Sequence, residues 1–192
     1  MKRIVSTLAL SLFLIGCGGG SSSDTTTVEC QREFWDGEFG TCIPQGWGLV
    51  DKETARQRGV PADEARAIFQ ADEAVSGIFP TIIVTQERLL NPVSSEDYSA
   101  NAIKIASTQP GYKLLDRQDF QIYDRGVKLH RFHAQPLTEH PLLLFLQWSS
   151  VEDDWGYTAT AMMPVTVPKA TEQAVNLILE SASFSPVVPV AE

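Results

Sequence analysis

The chain has 192 residues, 43% of them hydrophobic and 20% charged, with 24 acidic against 15 basic side chains for a net charge of −9. That balance suits one ordinary globular domain and excludes a fibrous or intrinsically disordered chain. It also speaks against nucleic acid or an anionic lipid surface as the partner, since a polyanion would be repelled.

At the N-terminus, Lys2 and Arg3 precede an apolar run from Ile4 to Ile15, the build of a secretory signal peptide over residues 1–16. The run is too short to span a bilayer, which takes roughly 20 apolar residues, and no later stretch reaches that length. Its end, Leu14-Ile15-Gly16-Cys17, resembles the lipobox of bacterial lipoproteins. That resemblance implies cleavage before Cys17, a diacylglyceryl group on its thiol, and attachment to a membrane of the cell envelope. Gly18 after the anchor favours the outer membrane over the inner in a host that has one. An ordinary secreted protein cleaved nearby is the alternative. Loss of Lys2 and Arg3 would leave 13 basic against 24 acidic residues, a net charge of −11. Residues 17–27, rich in Gly, Ser and Thr, read as a lipidated flexible tether with too little apolar surface to fold.

The domain is expected over residues 28–185. With Cys17 taken by lipid, Cys30 and Cys42 remain, and an oxidising compartment favours pairing them. A three-residue loop from Trp35 to Gly37 would place opposite each other residues whose numbers sum to 72, as Cys30 and Cys42 do. Two free thiols are the alternative, and a metal site falls short of ligands. Phe34 and Trp35 at the hairpin tip are candidate partner-binding residues, with Phe34 packed inward and Trp35 laid along the domain as the plain structural reading.

Next, Trp47 to Val50 reads as a strand and Asp51 to Arg58 as one or two helical turns stopped by Gly59. From Pro61 to Ala71 the sequence predicts a helix, with Asp63 and Glu64 in its first turn and Ala65, Ile68 and Phe69 on one face. Thr81 to Thr85 is a β-branched strand. Ser94 then caps a helix with Asp97 three residues on, and Tyr98, Ala102, Ile105 and Ala106 form its apolar stripe until Pro110-Gly111 ends it.

Four strands follow with hairpin punctuation, at Lys113–Tyr123, Val127–Gln135, Leu142–Ser150 and Trp155–Met163. The unalternating apolar run Leu142 to Trp148 implies a strand covered on both faces. A last helix from Pro168 turns Val175, Ile178, Leu179 and Ala182 to one side. Residues 186–192 read as an extended tail. These elements add up to an α+β fold, a three-layer α/β/α sandwich around a mostly antiparallel sheet.

Several of these positions resemble the PsbP-like family, which includes the extrinsic photosystem II protein and the DcrB-like bacterial envelope lipoproteins. They are Ile43-Pro44 with Gly46-Trp47, Ile82-Ile83-Val84-Thr85 with Glu87, Tyr98, Pro110 to Leu115, Gly126, Thr158 to Ala161 and Ala182-Ser183-Phe184, within residues 38–185. The resemblance implies the PsbP-like sandwich and a non-catalytic role as an accessory or assembly factor that binds another envelope protein. It carries over no binding residue. The Cys30–Cys42 hairpin precedes the shared region, and residues 51–78 read as an inserted helical segment.

No catalytic, cofactor-binding or metal residue is assigned. His130 and His133, three apart on one strand, should face opposite ways, and His140 precedes Pro141 in a turn. The patterns G-x-S-x-G, S-x-x-K, H-E-x-x-H and C-x-x-C are missing, and Glu152-Asp153-Asp154 reads as a solvated hairpin tip. The expected function is therefore that of a lipid-anchored envelope accessory protein. A small-ligand or lipid binder using a cleft between sheet and helix is the second reading, and a hydrolase built on His130 or His133 the third.

Overall fold

In a computed structural model, residues 28–58, 62–123, 125–136 and 141–186 are described. The segment read as a signal peptide, Cys17 with the expected tether, His140 and the expected tail beyond Pro186 lie outside them.

The first hairpin joins β1 (Cys30–Trp35) to β2 (Gly40–Pro44). Its register differs from the expected one: Trp35 faces Gly40, Phe34 faces Thr41 and Glu33 faces Cys42. The Asp36 side chain sets this turn, because one of its oxygens accepts the backbone N–H of Glu38 at 3.1 Å and of Phe39 at 2.9 Å. Gly37, at φ +106°, supplies the left-handed residue. A bulge between Cys30 and Arg32 then brings Cys30 opposite Pro44. Cys42 becomes its diagonal neighbour, with Cα atoms 5.5 Å apart and a disulfide between them. Cys30→Ser is expected to lower stability by about 3 kcal/mol, the value for so short a loop, without preventing folding. A shift in the urea midpoint at constant slope checks this.

Seven strands form the main sheet: β3 (Trp47–Leu49), β4 (Ala65–Ala71), β5 (Thr81–Arg88), β6 (Lys113–Ile122), β7 (Arg125–Ala134), β8 (Leu143–Glu152) and β9 (Trp155–Pro164). Their order is β3-β4-β5-β9-β8-β7-β6, and every pair is antiparallel. β8 is buried from Leu143 to Ser150, as its apolar run requires.

The helix expected over Pro61–Ala71 is instead a strand. Ala65, Ile68 and Phe69 sit at helical spacing, but a short apolar run fits either period, and partners on both sides decide the outcome. Phe69 pairs with Leu49 and with Ile82, so β4 hydrogen-bonds to β3 and β5 at once. The described residues of 51–78 accordingly contribute β4 to the sheet and α1 to its cover, in place of an inserted helical segment. In that segment only α1 (Lys52–Gln57) is helical among the described residues, capped by Asp51, which accepts the Thr54 N–H at 2.9 Å.

Helices cover both faces. On one, α3 (Lys169–Glu180) buries Val175, Ile178 and Leu179 against Phe69, Ile82, Trp148 and Met163. The hairpin shares this layer. Thr41 donates to the Ile178 carbonyl at 2.6 Å, the Cys42 N–H donates to Ser181 Oγ at 2.9 Å, and Gly40 and Ser183 exchange backbone bonds of 2.9 Å. On the other face lie α1 and α2 (Ser95–Ala106), with Ala55 packed on Ala65 and Ile68, and Ala106 on Phe132 and Phe145. The result is the expected three-layer α+β sandwich.

Candidate functional site

The two helices on the second face leave part of the sheet uncovered. α1 has only six residues and lies mainly over β4, while α2 lies over β7, β8 and β9. Between them Ile83 of β5, Met162 of β9 and Phe145 of β8 form the floor of a cleft of about 710 Å³. The volume lies within the range of roughly 300–1,000 Å³ typical of small-molecule sites.

Its walls come from distant parts of the chain. On one side Arg58 donates to Gln70 Oε1 and lies 4.7 Å above the Phe79 ring. Gln70 is buried and donates in turn to Thr81 Oγ1 at 3.0 Å. Asp63 and Glu64 stand at this rim, and Asp63 accepts Arg56 at 2.6 Å. On the other side are Gln109, just past α2, and Pro136 and Pro141. An apolar floor with a few polar groups at the mouth can hold an apolar or amphipathic body and orient its polar end. Its described lining holds the Asp63 and Glu64 carboxylates and the Thr85 and Thr160 hydroxyls, and no serine, cysteine, lysine or histidine.

His130 lies on the same face of the sheet but beneath α2. Its Nε2 is 3.3 Å from Ser99 Oγ, and the two residues are only 2% and 3% exposed. Burial, and then the charge of Arg117, lower its pKa below 6.5. A serine beside a histidine is the start of a hydrolytic pair, but α2 seals this one from any substrate. Strand alternation sends His133 to the α3 face. Glu152 at the acidic hairpin tip is ion-paired with Arg125, and no cluster of three or more metal-ligating side chains occurs among the described residues.

The two hairpin-tip residues part ways. Phe34 is half-buried, with its ring edge-on to Phe69 at 5.3 Å. Trp35 is 38% exposed and lies over Gly40, where an added Cβ would come within 2.6 Å of the indole. Behind it, Arg66 donates to Asp36 at 2.7 Å and to Glu38 at 2.6 Å, tying the hairpin to β4. Burial pushes the Asp36 carboxyl up. The Arg66 guanidinium and the N–H groups of Phe39 and Glu38 together outweigh it and hold the carboxyl below 3.8.

The chain is thus an antiparallel sheet between two helical layers, with the hairpin and α3 on one face. No protein-family model matches the sequence, and no curated protein is significantly similar to it. Solved structures are. LpqN of Mycobacterium tuberculosis, involved in cell envelope biogenesis, superposes with a TM-score of 0.61 at 13% identity, over 81% of this chain and 90% of LpqN. Cyanobacterial PsbP from Synechocystis gives 0.54 at 10% identity, over 89% of this chain and 99% of its own. PA94 of Pseudomonas aeruginosa, a protein of unknown function, gives 0.54 at 18% identity, over 84% and 98%. The chain has the PsbP-like fold expected from its sequence.

Proposed function

We propose that this is a lipid-anchored protein of the bacterial cell envelope that binds and does not catalyse, its cleft taking a small apolar or amphipathic ligand. The apolar floor of Ile83, Phe145 and Met162 carries the reading. Apolar surface of this kind is stabilised by whatever excludes water from it. The lipobox-like segment ending at Cys17 supports the anchor, and the envelope role of LpqN, which shares the fold, is consistent with the compartment.

Accessory binding of another envelope protein is the second reading, favoured by the exposed Trp35 at the hairpin tip. Phe34 behind it packs into the core and leaves Trp35 as the anchor on that surface.

Native mass spectrometry of the Cys17→Ala protein released from its own host decides between them. Apolar cargo should accompany it and fall by roughly tenfold when Met162→Trp fills the floor. A cargo-free protein would defeat the ligand reading. Crosslinking in intact cells, with and without Trp35→Ala, would then test the partner reading.

A further inference from the structure

The two long helices are held to the sheet by different means. α3 inserts Val175, Ile178 and Leu179, all buried, whereas the buried positions of α2 are Ser99 and Ala106. Much of the docking of α2 is polar. Ser95 Oγ accepts the Val151 N–H at 2.9 Å, Tyr98 donates to Glu87 at 2.8 Å, and Ser99 meets His130.

His130 is the titratable group under this helix. Arg117 of β6 and Gln147 of β8 stand opposite it in register, and α2 presents Ser99. Glu96 and Lys104 of α2 are exposed. The ring therefore faces one cation and two uncharged groups, and the Lys128–Asp119 ion pair, two residues along on the same face of β7 and β6, adds a matched pair of opposite charges. Its Nδ1 is buried with no hydrogen-bond partner. In the neutral ring that costs one unmade bond. Once the ring is protonated, both nitrogens donate and the positive charge faces Arg117, so the charge must reach water. β7 and β8 are each paired on both sides, and α2, which covers His130, gives up less buried apolar surface than α3 would.

We propose that α2 is an acid-released latch: protonation of His130 lifts this helix off the sheet while β7–β9 and α3 stay folded. The sign agrees with the lowered pKa of the ring. A histidine depressed below 6.5 in the folded state contributes its stability above that pH and loses it as the pH falls towards the folded value. Release would also displace Gln109, a wall of the cleft, although the latch operates whatever the cleft holds.

Hydrogen exchange of the full-length lipidated protein in detergent tests this, with intrinsic rates corrected for pH. Between about pH 7.5 and about pH 5, protection of residues 95–106 should fall by roughly tenfold or more while residues 169–180 keep theirs. The midpoint should track the His130 ring, followed by NMR, and not His133. In His130→Gln the α2 amides should be equally protected at both pH values. The proposal fails if α2 and α3 lose protection together, if β6 opens in place of α2, if α2 does not respond, or if its response survives in His130→Gln. Should that variant not fold, the midpoint in the unsubstituted protein decides the matter.

Discussion

Replacing Phe69 by alanine is expected to destabilise the domain by about 3–5 kcal/mol, the usual penalty for deleting a large buried aromatic side chain. Phe69 is fully buried in β4, within the cluster that includes Trp47, Ile82, Leu179 and Ala182. It also receives the edge of Phe34, so its loss loosens the hairpin as well as the core. The neighbouring Ile68→Ala should cost about 2–5 kcal/mol through a different set of contacts, since Ile68 packs with Ala55, Ala62 and Ala65 beneath α1. Because a strand sends these neighbours to opposite faces, the two penalties should add within a few tenths of a kcal/mol. On a helix both side chains would share one pocket and the double variant would deviate from additivity. Urea unfolding of the two single variants and the double variant checks the strand and the energies together.

The second large effect comes from adding a single methyl group. A Cβ at Gly156 would lie 2.4 Å from Tyr98 Cζ and 2.7 Å from Tyr98 Oη, far inside van der Waals contact. Tyr98 cannot swing aside freely. Its hydroxyl donates to Glu87 at 2.8 Å, and burial, together with that bond, pushes the phenol up to about 12. Gly156→Ala should therefore destabilise the protein by about 1–3 kcal/mol, the range for overpacking, and displace the N-terminal half of α2. In a Tyr98→Ala background the same substitution should cost about 0.5 kcal/mol or less, because the obstacle is gone. Equal costs in the two backgrounds would show that the strain at Gly156 comes from elsewhere.

Much of the architecture was legible because its signals are long or chemically specific. Four strands of about ten residues separated by turn residues could hardly be anything but a meander, and Ser94 does cap α2, accepting the Asp97 N–H at 3.1 Å. β4 was not legible, since Ala65 to Ala71 satisfies both periods and its strand identity depends on Leu49 and Ile82, far away in sequence. The hairpin register was misread for a local reason. Counting back from Gly37 ignores the Asp36 carboxylate, which claims two N–H groups and lengthens the turn. A cleft between sheet and helix was among the expectations, but its position and lining were not legible, for a different reason. It arises where α1 is too short to cover the sheet, and its floor gathers Ile83, Phe145 and Met162 from strands that read as ordinary core.

The diagonal disulfide would also govern how an anchored domain carries load. Under the N-terminal anchor proposed above, tension would enter the domain first at β1, and a hairpin pulled at one free end would peel apart one hydrogen bond at a time. The bond at Cys30 diverts that tension directly to Cys42. From Cys42 it passes to Ser181 at the end of α3, and through the Gly40–Ser183 bridge to the closing segment of the chain. Drag on the domain would thus be shared between the first and last elements of the fold, and the hairpin would act as a fixed collar.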